Sequence, residues 1–152
     1  MRAITHAMTG AAIGLVIGQP EAAVPAAFVS HYVCDALPHF GGGLPQNEEL
    51  NSRTFRALLL ADICLCPLFV LVLAVQRPEH WLLAAICAFV AAAPDLASIN
   101  SYRSARRGDQ LKPGRYTRFA HGIQWFERPL GAVVEVAWFI AMAVILIPII
   151  RK

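Results

Sequence analysis

From Leu130 to Ile150 this chain carries a single ionisable residue, Glu135. A helix over that stretch is apolar all round and has no polar face to offer water. About 20 such residues are what a helix needs to cross a bilayer. The stretch Arg53 to Gln76 repeats the pattern, apolar after its first residue except for Arg56 and Asp62. Composition agrees, with 57% of residues hydrophobic and 15% charged, where soluble domains average about 25% charged. The 152 residues make one integral membrane domain, residues 1–152, and leave no room for a second of ordinary size. A net charge of +3 calls for no nucleic acid, because Lys and Arg gathered on one side of a membrane account for it.

Taken in order, the apolar runs predict an all-α fold. It is a polytopic membrane helical bundle of about five membrane-crossing helices, near 3–18, 21–37, 53–76, 78–101 and 130–150. One short interfacial helix near 115–128 completes it. Gly10, Gly14 and Gly18 recur every fourth residue, the small-residue spacing that lets a second helix approach closely. Gly18-Gln19-Pro20 reads as a turn. The first two helices are at the short end for a bilayer, so they form either a thin hairpin or a re-entrant pair. Residues 40–52 read as a loop, with Ser52 as the N-cap of the next helix. Pro67 is a candidate kink, and Trp81, with His80 beside it, falls at an interface. The basic segment 102–118 lies outside the membrane. Cys34, Cys64, Cys66 and Cys87 all sit in apolar stretches without Cys-x-x-Cys spacing and read as small apolar residues, neither disulfide framework nor zinc-thiolate cluster. Met1-Arg2 and the run after it do not make a signal peptide, since His6 interrupts the run and no small-residue cleavage site precedes Pro20.

Charge sets the orientation. With the N-terminus cytoplasmic, ten of the 13 basic residues fall inside, leaving Arg77, Arg151 and Lys152 outside, as the positive-inside rule expects. This makes the chain a multi-pass membrane protein with a cytoplasmic N-terminus. The same topology puts His6, His31, Asp35, His39, Asp62, Asp95, His121, Glu127 and Glu135 in the inner half, although they come from helices of alternating direction.

A charge at the bilayer centre costs at least about 2.5–3.5 kcal/mol, so such groups face inward and find partners. His31 and Asp35 are four apart and stack on one helix face. Pro38 ends the turn and delivers His39 near that face. A shared divalent cation reconciles imidazoles and carboxylates gathered at one depth, and this donor set suits zinc, or iron or manganese. The candidate ligands are His6, His31, Asp35, His39, Asp95 and His121, enough for one or two ions. Plainer roles stay open for each. His31 alone would serve as an interhelical hydrogen bonder, and His6 and His39 as solvated interface residues. Asp95 would satisfy backbone groups freed at Pro94, and His121 and Glu127 would form the wet face of the short helix. Asp62 and Glu135 would pair with Arg or cap a neighbouring helix.

Thr5-His6 with Gly10, then Ser30-His31-x-x-x-Asp35, then Pro94-Asp95 within an apolar helix, resembles the membrane-bound metal-dependent hydrolase family of small bacterial and archaeal inner-membrane proteins. His31-Tyr32-x-x-Asp35 also looks like the zinc-binding helix of the zinc-dependent phospholipase C and nuclease group. The resemblance implies His6, His31, Asp35 and Asp95 as metal ligands, with His39 beside them. The expected function is a membrane-embedded metal-dependent hydrolase of an ester or phosphoester at the cytoplasmic side. Asp62 or Glu127 would be the general base. The basic segment attracts anionic head groups at about 1 kcal/mol per Lys/Arg, so the expected partners are membrane lipid and a lipid-like substrate. Two non-enzymatic classes remain beside it: an ion or proton carrier, and a scaffold clamped by a structural metal.

Overall fold

The computed structural model describes residues 1–42, 46–109 and 114–151. Their order is α1 (Ala3–Ile17), α2 (Pro20–Ala36), α3 (Gln46–Asn51), α4 (Arg53–Gln76) and α5 (Trp81–Ala92), then a 3-10 turn (Ala93–Ser98), α6 (Ile99–Arg107), α7 (Arg115–Ile123) and α8 (Gly131–Ile150). Among the described residues there is no strand, only an isolated bridge between His39 and Glu127. The all-α expectation holds. Lys112 and Lys152 of the charge count, and residues 43–45 of the expected loop, lie outside the described residues.

The expected five crossings do not stand. Among the described residues, three helical stretches are long and apolar enough to cross a membrane: Arg53–Gln76, the continuous run Trp81–Arg107, and Gly131–Ile150. Length is the reason. With 15 residues, α1 rises only about 22 Å at 1.5 Å per residue, short of a ~30 Å hydrocarbon core. α2 has 17 residues and carries His31 and Asp35 along it.

Local chemistry sets the other boundaries. Pro20 opens α2 at its first turn, where its missing N–H costs nothing. Ser52 caps α4 as expected, its hydroxyl accepting from Phe55 N at 3.0 Å. Pro67 sits inside α4. Pro94 cannot donate to a helical ladder, and there the long helix tightens into the 3-10 turn before resuming as α6. The helix therefore reaches Arg107, beyond its expected end at 101. α7 stops at Ile123 rather than 128, since Arg128 N donates to His39 O (3.2 Å) and Gly41 N to Arg128 O (3.3 Å). α3 occupies part of the segment expected to be loop.

α1 is the centre of the bundle, packed on α5, α2, α8 and α4. Its Ile4, Met8, Ala11 and Leu15 join Leu73, Ala84, Ala88, Met142 and Leu146 in one core cluster. The glycine spacing does what was expected of it against α5. A Cβ on Gly14 would lie 2.7 Å from Ala84 Cα, and one on Gly10 would lie 2.7 Å from Ala91 Cβ. Gly18 does something else: it ends α1 in the left-handed region, φ +68°, against the His80 ring. α8 is tied to α1 by Trp138 Nε1 donating to Thr9 Oγ1 at 3.1 Å.

Candidate metal centre

The central position of α1 buries its first turns, and with them His6, which is 0% exposed. α2 runs alongside and presents His31 and Asp35, both buried. The i, i+4 spacing places His31 Nε2 3.4 Å from Asp35 Oδ2. The turn at Pro94 brings Asp95 over the same point, with its Oδ1 3.9 Å from His31 Nε2. The His6 and His31 rings lie 4.1 Å apart at 31°.

Ligand atoms of His6, His31 and Asp95 all fall within 4.8 Å of one another, close enough to hold a metal ion. A tetrahedral zinc site with bonds of about 2.0–2.1 Å has ligand edges near 3.4 Å, so modest closure completes it. His31 is already oriented for this, as its Nδ1–H donates to Ala91 O at 2.8 Å and leaves Nε2 facing the point. Fixing one imidazole nitrogen so that the other faces a cation is the usual outer-shell arrangement of a metal site. His6 supplies a second sign. Its Nε2 is 3.1 Å from Asp35 Oδ1, but that contact is out of line, and neither ring nitrogen has a hydrogen-bond partner among the described residues. An orphaned, fully buried imidazole is costly and calls for a partner such as an ion. The residues fit the cation.

Asp35 sits between the two histidines. Gln124 Nε2 donates to its Oδ2 at 2.9 Å, and the terminal ammonium of Met1 contacts its Oδ1. Asp35 thus lies against the Nε2 of both imidazoles, 3.1 Å from His6 and 3.4 Å from His31. His39 is buried and donates from Nδ1 to Leu37 O at 2.9 Å. Burial lowers its pKa, which keeps the ring neutral.

Asp62 is paired with Arg2, whose Nε lies 2.9 Å from its Oδ2, and the Arg2 guanidinium also contacts Leu58 O. Glu135 accepts from the backbone N–H of Arg2 at one oxygen and from Phe40 N at the other, 3.2 Å away. A cavity of about 690 Å³ opens beside the cluster, walled among others by Asp95, His39, His121, Glu127, Arg2 and Tyr116. Glu127 lies against Gly41, where a Cβ would collide with its side chain.

The structure therefore gathers His6, His31 and Asp95 around one point with Asp35 beside it. It sets His39, His121, Glu127 and the Arg2-paired Asp62 on the wall of the neighbouring cavity. Gln124 and Arg2 carried no assigned role in the sequence. Gln124 had only its place on the helix bearing His121 to mark it, and nothing local marks Arg2.

Fold and site together define the class: a protein whose described residues are all-helical, with three membrane-length apolar helices and a histidine–aspartate cluster that could hold a cation. No family model, no curated protein and no solved structure matches the chain.

Proposed function

We propose that this chain is a metal-dependent hydrolase of a bacterial-type inner membrane, acting at the cytoplasmic side on an ester or phosphoester of a lipid-like molecule. The observation that carries it is the orphaned His6 imidazole facing His31 and Asp95 beside a cavity large enough for a polar head group. Zinc suits two imidazoles and a carboxylate. Bound there, it would act as a Lewis acid on the carbonyl or phosphoryl oxygen.

The chain's own residues supply the rest. His6, His31 and Asp95 hold the ion, Ala91 O keeps the His31 ring in place through its Nδ1, and Asp35 adds a negative charge beside both imidazoles. Glu127, on the cavity wall with His121, would take a proton from water and pass it to the leaving group. Asp62 is tied to Arg2, which leaves the base role to Glu127. The basic residues at the end of α6 and on α7, Arg106, Arg107, Arg115 and Arg118, draw anionic head groups to that side. The positive-inside rule puts the N-terminus there too. The likeness of Thr5-His6, His31-x-x-x-Asp35 and Pro94-Asp95 to membrane-bound metal-dependent hydrolases supports the same reading.

The second reading is a structural clamp, favoured by ligands that come from three separate elements, the packed pair α1 and α2 and the 3-10 turn. Metal analysis of protein purified without chelator tests both. About one equivalent of zinc is expected in wild type and a large loss in His6→Ala and His31→Ala. Metal-free wild type ends both readings. Zinc present in protein that cleaves no member of a phosphoester and carboxylester panel transfers the cluster to the clamp. Glu127→Gln, expected to keep zinc and lose hydrolysis by at least about 100-fold, identifies the base.

A further inference from the structure

Outside the metal centre, the 3-10 turn has a second concave side. A groove of about 260 Å³ is lined by Phe28 and Tyr32 of α2, Ala93, Pro94 and Ala97 of the turn, and Tyr116 of α7. Its walls are apolar except for the two phenol hydroxyls. Tyr116 and Ala97 also line the large cavity, so the two spaces share a partition. That partition is thin. Tyr32 and Tyr116 meet hydroxyl to hydroxyl at 3.5 Å, and the Tyr116 hydroxyl donates to Pro94 O at 3.4 Å.

Three features tie the groove to the metal centre. Pro94 faces the groove, whereas the next residue, Asp95, faces the cavity and the cation point. Tyr32 packs its ring edge-on to the ring of His31, 5.1 Å away. Phe28, one turn before His31, packs on Tyr32 at 5.4 Å. A polar cavity with charged walls and an apolar groove joined at Tyr116 match a molecule with a polar head and a hydrocarbon tail.

We infer that the groove between α2 and the 3-10 turn binds the hydrocarbon chain of the substrate, a single-chain or chain-bearing phosphoester whose head lies in the cavity at Asp95. The inference rests on the hydrolase proposal for the head and on the groove itself for the tail. The chain enters sideways from the bilayer past Phe28, and the Tyr32–Tyr116 contact must part for head and tail to be held at once. The occupant is membrane lipid rather than a water-soluble phosphate, which has nothing to place in the groove.

The test uses the full chain in amphipol, with hexadecyl phosphate, butyl phosphate and inorganic phosphate as probes, and zinc measured in the same samples. Hexadecyl phosphate is expected to bind at least about tenfold tighter than butyl phosphate. Phe28→Ala, which removes a wall, and Ala93→Leu, which fills the groove, are each expected to bring that ratio towards one while zinc stays. A ratio unchanged in both variants with zinc retained overturns the inference. Wild-type protein gives a readout free of any folding defect. Hexadecyl phosphate bearing a diazirine at its chain end is expected to label α2 and residues 93–97 on irradiation. Labelling confined to the outward faces of α4 and α8 overturns the inference, since any lipid meets those faces. Groove labelling in zinc-free protein supports the tail site and removes the hydrolase proposal alone.

Discussion

At the level of single residues, the site depends on groups that hold the ligands rather than on the ligands alone. Glu135 is the clearest of these. It is buried, and its two oxygens accept from the backbone N–H of Arg2, just ahead of α1, and of Phe40, just after His39. One carboxylate thus fixes the start of the helix that carries His6 and the segment that carries His39. A Gln there keeps the shape but gives only one acceptor oxygen, so one buried N–H loses its partner at about 1–3 kcal/mol. Glu135→Gln is expected to lower stability by that amount in detergent unfolding and to weaken zinc retention with it. Unfolding indistinguishable from wild type would deny Glu135 this role. His31 and Asp35 could be paired from their spacing, because a helix brings residues four apart together. Glu135 could not be given these partners from order alone, since Arg2 and Phe40 are remote from it in the chain.

At the level of elements, α1 decides the packing. Its small residues let the α5 backbone come within contact at Gly10 and Gly14, and that approach carries His6 towards Asp95. Gly14→Ala would place a methyl 2.7 Å from Ala84 Cα, against backbone that cannot yield cheaply. A loss of about 1–3 kcal/mol is expected from such overpacking. Gly122, in α7, is the control, as a Cβ there meets nothing within 4 Å. Gly122→Ala is expected to leave stability unchanged or raise it by up to about 1 kcal/mol through helix propensity. Equal unfolding midpoints for the two variants would show that the α1–α5 contact is not tight. The long helix from Trp81 shows how a break in an element becomes useful. Pro94 could be read as an interruption, and its tightening of the backbone into a 3-10 turn sends Pro94 and Asp95 to different compartments.

For the whole molecule, the question is which ends of the helices share a side. Gly18, at the end of α1, lies against His80, one residue before the membrane-length run Trp81–Arg107. The α1–α2 turn therefore sits at the start of that run, opposite Arg107. Single cysteines at Gln19 and Glu79, both exposed, are expected to react with an impermeant thiol reagent from one side, and a cysteine at Arg107 from the other. Gln19 reacting together with Arg107 would break this arrangement of α1 along α5. The result also decides whether α1 and α2, too short by length alone, traverse the bilayer within the bundle.

What the linear order of residues settles here is local or averaged over a helix. Apolar runs without charges settle the all-α class, since backbone groups in hydrocarbon must bond within their own segment. The i, i+4 rule settles the His31–Asp35 pair, and Ser52 settles the start of α4 through a cap within one turn. The number of membrane-length helices is smaller than the apolar runs suggest, because α1 and α2, already at the short end by sequence, end below the length a bilayer demands. The meeting of His6, His31 and Asp95 arises from three segments remote in the chain. It exists because two glycines admit α5 to α1, α2 packs against both, and one proline bends the path at residue 94. Packing geometry of that kind is carried by contacts between elements, which no spacing along one of them encodes.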